Sequence, residues 1–451
     1  MRKALLALPV AAALLTAFST PAFANGRFPE TNAVFLAQND PDLVLLRVTF
    51  GLLISHDRGK SWDWVCENSI GLAGIEDPMY WVAPNGTFVG STFQGVTVSH
   101  DKGCNFSFVG GPLKDGIFID LTSRAAEPNT VVTFQSGYDN IDDAGNVTYK
   151  SVLYESKDQA ETFTAMPWTF DGTLFGETVD MAPSDDQRLY VTAVRAPGVT
   201  PSGVFMVSLD RGKTFEELPF PLVAGERAPF IAAVDPTNAD RVYVRTWSGA
   251  DKPGRIMLTE DAGKNWKTIY TSQAALSGFA LAPDGKKVYL GGPKEGLQVA
   301  STTDFAFTQK STIEVGCLTL AADGLWACSS EKSGFIAAFS KDDGATFDTK
   351  AHFCDIRGAL ACDGTSKTTT QCAQVWPTQQ SVLGCDAFAD GGADGGPNAG
   401  DGSTTTTGAK VDDDSGCSCR TTPGKPLTAA FAGIGGAAFA LLFAWCRRSR
   451  H

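Results

Sequence analysis

Histidine is scarce in this chain, and basic residues are outnumbered by acidic ones. The 451 residues contain four histidines, and their scattered positions do not have the spacing of metal ligands. Lys and Arg number 37 against 50 for Asp and Glu, which gives a formal net charge of −13. Because nucleic acid attracts basic surfaces, this balance argues against nucleic acid as a partner. Phosphate-binding glycine motifs and helical patterns are also nearly absent from the central part of the sequence.

The first 24 residues have the three zones of a secretory signal peptide. Basic Arg2 and Lys3 precede an apolar run over residues 4–18 and a small-residue site at 22–24. The run is short and is interrupted by Pro9, which disfavours the alternative of a retained transmembrane helix. We therefore expect export and cleavage.

At the other end, residues 427–445 form an uncharged apolar stretch of the length that crosses a bilayer. Arg447, Arg448 and Arg450 follow and predict that the tail stays in the cytoplasm. Residues 386–416 are rich in Gly, Ala, Asp and Thr and indicate a flexible acidic linker. Without the five basic residues of the two ends, the rest of the chain carries a charge of −18.

Eight of the eleven cysteines lie between residues 66 and 385, an even number that indicates disulfides in an exported domain. Cys317 and Cys328 flank a turn and are expected to pair locally. Elimination then leaves Cys66 and Cys104 as partners, although spacing alone does not determine connectivity. The other four form a compact segment, residues 351–385, that we expect to support the junction of the first and last repeats: Cys354, Cys362, Cys372 and Cys385.

A short motif recurs along the chain at intervals of 38 to 57 residues. Its clearest copy is Ser-His-Asp-Arg-Gly-Lys-Ser-Trp at residues 55–62, in which the aspartate and the serine before it can bond backbone N–H groups of a tight hairpin. A Pro/Asp/Asn/Gly turn precedes each copy, so two independent features count seven units. The seven aspartates, to which we assign a structural role, are Asp57, Asp101, Asp158, Asp210, Asp261, Asp304 and Asp342.

The pattern of each unit predicts four strands. Seven four-stranded units predict an all-β, seven-bladed β-propeller over residues 25–350. The motif resembles the BNR or Asp-box repeats of sialidases, sortilin-type receptors, photosystem-assembly propellers and some glucan hydrolases. The resemblance covers residues 33–347 and implies the propeller fold, with the boxes on the rim. It says little about activity, because one architecture hosts many functions.

Cys417-Ser418-Cys419, with the apolar span and terminal arginines, resembles the sorting tail of many myxobacterial surface proteins. That resemblance implies recognition by sorting machinery, processing and lipidation near Cys417 and Cys419, and delivery to the outer membrane surface. The alternative is an ordinary membrane anchor within residues 417–451, whose two cysteines pair or stay free. Both alternatives place the propeller outside the cell.

Functional residues are expected on the face opposite the boxes, which holds the propeller mouth. Arg47, Arg195 and Arg245 fall near the ends of second strands, and three arginines bind the substrate carboxylate in sialidases. Arg27, in a segment similar to a sialidase motif, is an alternative first arginine. The other candidate ligand-binding residues at the mouth are Trp247, Glu76, Asp77 and Tyr138.

Two further groups of residues belong to types that bind calcium or act in acid–base catalysis. Asp139, Asp142 and Asp143 lie in the longest insertion and suggest a calcium site, although such residues also make plain solvated loops. Glu76 and Asp77 form a weak acid–base pair, because adjacent residues of an extended segment point apart. Sialidase chemistry also needs a tyrosine, and none stands out among Tyr138, Tyr149, Tyr154, Tyr190 and Tyr243.

The sequence therefore favours a surface-anchored propeller that recognises an extracellular glycan or protein without catalysis or a cofactor. The competing hypothesis is a sialidase-like or other glycoside hydrolase, which would need paired acidic residues. A third is an assembly factor for extracellular proteins, which the resemblance to photosystem-assembly propellers suggests.

Overall fold

Seven four-stranded antiparallel sheets form the blades of a β-propeller in the computed structural model, which describes residues 28–74, 76–143, 145–195 and 200–385. Blades 1 and 2 contain β1 (Thr31–Leu36), β2 (Val44–Val48), β3 (Gly51–Ser55), β4 (Trp62–Cys66), β5 (Met79–Val82), β6 (Phe88–Thr92), β7 (Gly95–Ser99) and β8 (Ser107–Phe108). Blades 3 and 4 contain β9 (Phe118–Ser123), β10 (Val131–Ile141), β11 (Val147–Ser156), β12 (Thr164–Ala165), β13 (Leu174–Met181), β14 (Leu189–Arg195), β15 (Ser202–Ser208) and β16 (Glu216–Phe220).

The remaining blades follow the same order along the chain. Blades 5 to 7 contain β17 (Ala228–Val234), β18 (Val242–Trp247), β19 (Arg255–Thr259), β20 (Lys267–Thr271), β21 (Gly278–Leu281), β22 (Lys287–Gly292), β23 (Gly296–Ser301), β24 (Thr308–Ser311), β25 (Cys317–Ala321), β26 (Gly324–Cys328), β27 (Ala337–Ser340) and β28 (Asp348–Ala351). The first strands of neighbouring blades contact one another round the whole ring, from β1 through β25 and back to β1. The sequence prediction of a seven-bladed propeller is confirmed.

Hydrophobic side chains from neighbouring blades form the core. One cluster joins β10 and β11 of blade 3 to β13 and β14 of blade 4, and another joins blades 4 and 5. Alternate residues of a strand point to opposite faces of its sheet, and both faces of a blade are covered by neighbours. This explains why many central strands are continuously apolar, such as β3, in which every residue is buried.

The hairpins between third and fourth strands contain the repeated motif. In blade 1, Ser55 Oγ accepts a hydrogen bond from the Gly59 N–H at 2.7 Å, and Asp57 accepts from the Ser61 N–H at 2.9 Å and hydroxyl at 2.6 Å. Burial alone would raise the pKa of Asp57, but the hydrogen bonds from Ser61 and Ser55 lower it to about 2. Arg58 and Gly59 both have positive φ, which glycine adopts without strain. We call the face with these hairpins the box face.

The hairpin of blade 6 is less regular than the other six. In the other six blades the aspartate stands two residues after the last residue of the third strand, as Asp57 follows Ser55. In blade 6 that strand ends at Ser301, three residues before Asp304, and Phe305 directly after Asp304 has the positive φ that follows the aspartate in the other boxes. Asp304 accepts a hydrogen bond from the Ala306 N–H at 3.1 Å.

The segment after blade 7 closes the ring. Its strand β29 (Ile356–Ala359) pairs in parallel with β4 and makes blade 1 five-stranded. The segment continues through a π-helical turn, Thr368–Cys372, into helix α2 (Ala373–Val382), and a short helix α1 (Glu67–Ile70) follows β4. Trp376 of α2 packs against Trp64 of blade 1, with ring centroids 5.3 Å apart.

The described residues form four disulfides, and these differ from the sequence prediction at one pair. Cys317 pairs with Cys328, as expected, but Cys66 pairs with Cys372 and Cys104 with Cys362. The predicted Cys66–Cys104 pair was wrong because the closing segment lies between them, bonding the Cys104 carbonyl through the Thr368 N–H. The fourth bridge, Cys354–Cys385, lies within the closing segment itself. Four disulfides indicate a protein that folds in an oxidising, extracytoplasmic compartment.

Within the described ranges, no helix has both the length and the apolar character needed to span a membrane. The predicted signal peptide, acidic linker, membrane span and Cys417/Cys419 motif lie outside those ranges, as does Arg27.

Replacing Cys66 and Cys372 together by alanine is expected to lower the free energy of unfolding by about 2–5 kcal/mol, because the bridge restricts a long loop of the unfolded chain. Urea denaturation followed by tryptophan fluorescence measures the loss. The matched control is Cys317→Ala with Cys328→Ala, which opens a bridge of only 11 residues' separation and should cost less. An equal or larger loss in the control would contradict a closing role for Cys66–Cys372.

Candidate binding face

The face opposite the boxes is built from the hairpins between second and third strands and from the connections between blades. We call it the mouth face. Buried carboxylates hold several of its loops. Glu76, in the connection from blade 1 to blade 2, is only 4% exposed and accepts hydrogen bonds from the Phe93 N–H at 2.7 Å and the Ala73 N–H at 3.3 Å. Burial raises the pKa of Glu76 to about 7 despite these bonds.

Two glutamates that the sequence analysis missed act in the same way. Glu226, in the connection from blade 4 to blade 5, accepts hydrogen bonds from Arg255 at 2.6 and 2.7 Å and from the Thr246 hydroxyl at 2.5 Å. Glu295, in the hairpin of blade 6, is 3% exposed and accepts from the Gln273 N–H at 2.5 Å. Nothing in their local sequence marks them, because their partners come from other strands. These carboxylates hold the loops of the mouth face in place.

Arg47 lies at the mouth end of β2, where the sequence placed it. Its guanidinium donates to the Asp77 and Pro78 carbonyls at 2.9 and 2.8 Å and to Asn32 Oδ1 at 2.6 Å. Asn32 in turn donates to the Asp77 carboxylate at 2.9 Å. The sequence candidates Arg47 and Asp77 are thus brought together with Asn32, in a network that joins blade 1 to the connection leading into blade 2.

The other two candidate arginines have local partners of their own. Arg195 forms ion pairs with Asp171 at 2.8 Å and Glu217 at 2.5 Å, all within blade 4 and the connection before it. Arg245 donates to the Leu276 carbonyl at 2.6 Å and lies over the Phe230 ring at 5.2 Å. Each guanidinium is therefore bound by groups of its own blade or of the connection next to it. The three arginines do not converge on one substrate carboxylate in this arrangement. Trp247 ends the same strand as Arg245 and is half-buried.

The insertion of blade 3 extends the β10–β11 hairpin beyond the neighbouring strand β9. At its tip Asp142 accepts hydrogen bonds from the Asn146 backbone and side-chain N–H groups, both at 2.8 Å. The three carboxylates proposed for calcium, Asp139, Asp142 and Asp143, do not form a group able to hold a metal ion in the described part of the chain. The hydrogen bonds of Asp142 instead stabilise the turn.

Half-buried aromatic side chains lead from this hairpin towards the centre of the mouth face. Tyr138 and Tyr149 are directly opposite across β10 and β11, so their side chains lie on the same face of the sheet. Tyr149 packs edge to face against Phe175 of β13, the innermost strand of blade 4, with ring centroids 5.3 Å apart. We call Tyr138, Tyr149 and Phe175 the aromatic ridge. Only Tyr138 was singled out from the sequence, because the contact with Phe175 depends on the meeting of two blades.

The Glu76→Gln variant is expected to lose a pH dependence of stability that the unchanged chain shows. Below pH 4.5 both folded and unfolded chains keep the proton; between 4.5 and about 7 only the unfolded chain releases it, so stability falls by about 3 kcal/mol as pH rises. Above pH 7 this contribution is constant. Urea denaturation across this range measures the difference between the two proteins.

The control is Glu216→Gln, at an exposed position of β16, which should retain the dependence of the unchanged chain. A Glu76→Gln variant with the same pH dependence as the unchanged chain would show that burial does not raise the pKa of Glu76.

Neither the protein-family models nor the curated proteins include a match to this sequence. Solved structures with a similar fold do exist. An ancestral GH74 enzyme aligns with a TM-score of 0.54 at 12% identity, covering 76% of this chain and 49% of that enzyme. The chain thus spans about half the length of that enzyme.

Two further solved structures are similar over about two thirds of the chain. The extracellular domain of the one component system BT4673 from B. thetaiotaomicron aligns with a TM-score of 0.44 at 13% identity, over 67% of this chain and 37% of that chain. A Hadza microbial sialidase, Hz136, aligns with a TM-score of 0.39 at 13% identity, over 66% and 74%. At 12% identity, the alignment with the ancestral GH74 enzyme shows a shared fold alone.

Proposed function

We propose that this chain is an exported β-propeller that binds a glycan through the aromatic ridge of its mouth face. The observation that carries the proposal is the ridge itself: three half-buried aromatic rings on two adjacent blades, reaching from a protruding hairpin to an innermost strand. Sugar rings present apolar C–H faces that pack against aromatic rings, while tyrosine hydroxyls bond to sugar hydroxyls.

The rigidity of the mouth face supports the same proposal. Glu226 and Glu295 bond loops of blades 4 to 6, and Arg195 bonds the connection between blades 3 and 4 through Asp171. Loops already held in one conformation lose little conformational entropy when a ligand binds. Exposed apolar residues on this face, Ile141 at 41% and Val223 at 53%, add contact area on either side of blade 4.

A glycoside hydrolase is the second candidate, and Glu76 is the observation that favours it. A carboxyl group whose pKa lies near 7 suits a general acid. The binding proposal is preferred because Glu76 is 4% exposed and its oxygens already accept backbone hydrogen bonds, which limits access of a glycosidic oxygen. Asp77, its sequence neighbour, is hydrogen-bonded to Asn32.

The proposal includes the cellular address predicted from the sequence. Disulfides support export, and residues 417–451 would hold the propeller at the outer surface through a membrane or lipid anchor. The glycan would then be extracellular, and the acidic linker of residues 386–416 would let the propeller reach it.

Tyr149→Ala is expected to weaken glycan binding by about tenfold or more, because it removes the central ring of the ridge. A glycan array first identifies ligands of the purified full chain, and calorimetry then compares the variants. The matched control is Tyr270→Ala, since Tyr270 is also half-buried and packs edge to face on an aromatic ring, Phe307, at 4.9 Å, but lies on β20, the outermost strand of blade 5.

Equal losses in Tyr149→Ala and Tyr270→Ala would contradict a binding ridge, as would the absence of any glycan ligand on the array. Hydrolysis of aryl glycosides that disappears in Glu76→Gln, with folding intact, would establish the hydrolase instead.

A further inference from the structure

A cavity of about 420 Å³ opens on the box face at blades 6 and 7, on the side of the propeller opposite the aromatic ridge. Its charged lining consists of three lysines, Lys286, Lys287 and Lys310, and one carboxylate, Asp343. The lining itself carries more positive than negative charge, and the carboxylates of Asp284 and Asp304 bond the Lys286 and Ala306 N–H groups at its edge. The volume lies in the range of small-molecule binding sites, and the cavity is open to solvent.

The carboxylate in this cavity already has partners. Asp343 accepts a hydrogen bond from Lys287 Nζ at 2.6 Å and another from the Tyr289 hydroxyl. Burial alone would raise the pKa of Asp343, but the bonds from Lys287 and Tyr289 and the charges of Lys287 and Lys310 lower it. Asp343 is therefore ionised, and Lys287 offsets its charge.

The ammonium groups of the other two lysines are accessible to a ligand. Lys286 and Lys310 are exposed and line the cavity, and among the described residues neither ammonium group has a hydrogen bond or an ion pair. Ser301 also lines the cavity, and its Oγ accepts from the Thr303 N–H at 3.2 Å, which leaves its O–H to donate. Two ammonium groups and a hydroxyl are donors suited to an anion.

We infer that this cavity binds an anionic group of an acidic polysaccharide, a sulfate ester or a uronate carboxylate, with Lys286, Lys310 and Ser301 as donors. Because the cavity is open to solvent, a polysaccharide chain can extend beyond it in both directions while one of its anionic groups binds inside. The repeated anionic groups of such a chain raise their effective concentration at the site. The inference uses no residue of the mouth face, so it is independent of the proposed ridge.

The test measures binding of dextran sulfate, polygalacturonate and uncharged dextran to the purified full chain by calorimetry, at low and high salt. The double variant Lys286→Gln with Lys310→Gln should bind the anionic polymer with an affinity lower by about tenfold or more, because charge-assisted hydrogen bonds are lost. The matched control is Lys213→Gln with Lys264→Gln, which removes two exposed lysines from box hairpins of other blades and should bind normally.

Binding of dextran sulfate alone would assign a sulfate ester, and binding of polygalacturonate alone a uronate. High salt should weaken binding by the unchanged chain, because ions screen exposed charges. The double variant Lys286→Gln with Lys310→Gln should bind a neutral ligand of the ridge with unchanged affinity, which separates this site from the ridge. The proposal is overturned if neither polymer binds, if uncharged dextran binds equally well, or if the control variant loses as much affinity as the test variant.

Discussion

Closure of the ring between the last and first blades is the constraint on which this structure depends. The four antiparallel strands of each of these blades come from one continuous stretch of chain, so none of the four is exchanged between the two blades, although β29 adds a fifth, parallel strand to blade 1. Side chains do so instead: the Trp62 indole donates to the Lys350 carbonyl, and the Thr31 hydroxyl donates to the Ile336 carbonyl. The closing segment then covers blade 1 with a parallel strand and ties itself to blades 1 and 2 through disulfides.

The two faces of the ring have different physical characters. On the box face, the hydrogen bonds of the repeated motif are local and join residues four apart within one hairpin, as between Asp57 and Ser61. On the mouth face, bonds join separate loops, as between Glu295 and Gln273. Local bonds make the repeats similar, whereas bonds between loops differ from blade to blade. The mouth face, whose loop contacts differ from blade to blade, is therefore the face on which the aromatic ridge is proposed to bind its ligand.

The candidate site was predictable only in part. The sequence correctly placed Arg47, Arg195 and Arg245 in second strands, because strand length and turn position can be read from the repeat. The partners of these arginines could not be read, since Asp77, Glu217 and Leu276 reach them through other strands or connections. Tyr149 looked ordinary among the tyrosines because its partner Phe175 belongs to the next blade.

The sequence by itself determined the number of blades, the four-strand order within each and the hairpin chemistry of most boxes. These features depend on residues a few positions apart, which local hydrogen bonding and alternation specify. Only the tertiary structure decided the long-range disulfides, the buried carboxylates of the mouth face and the meeting of aromatic rings across blades. Those features depend on which distant segments the closed ring brings into contact. The spacing of residues along the chain does not specify these contacts.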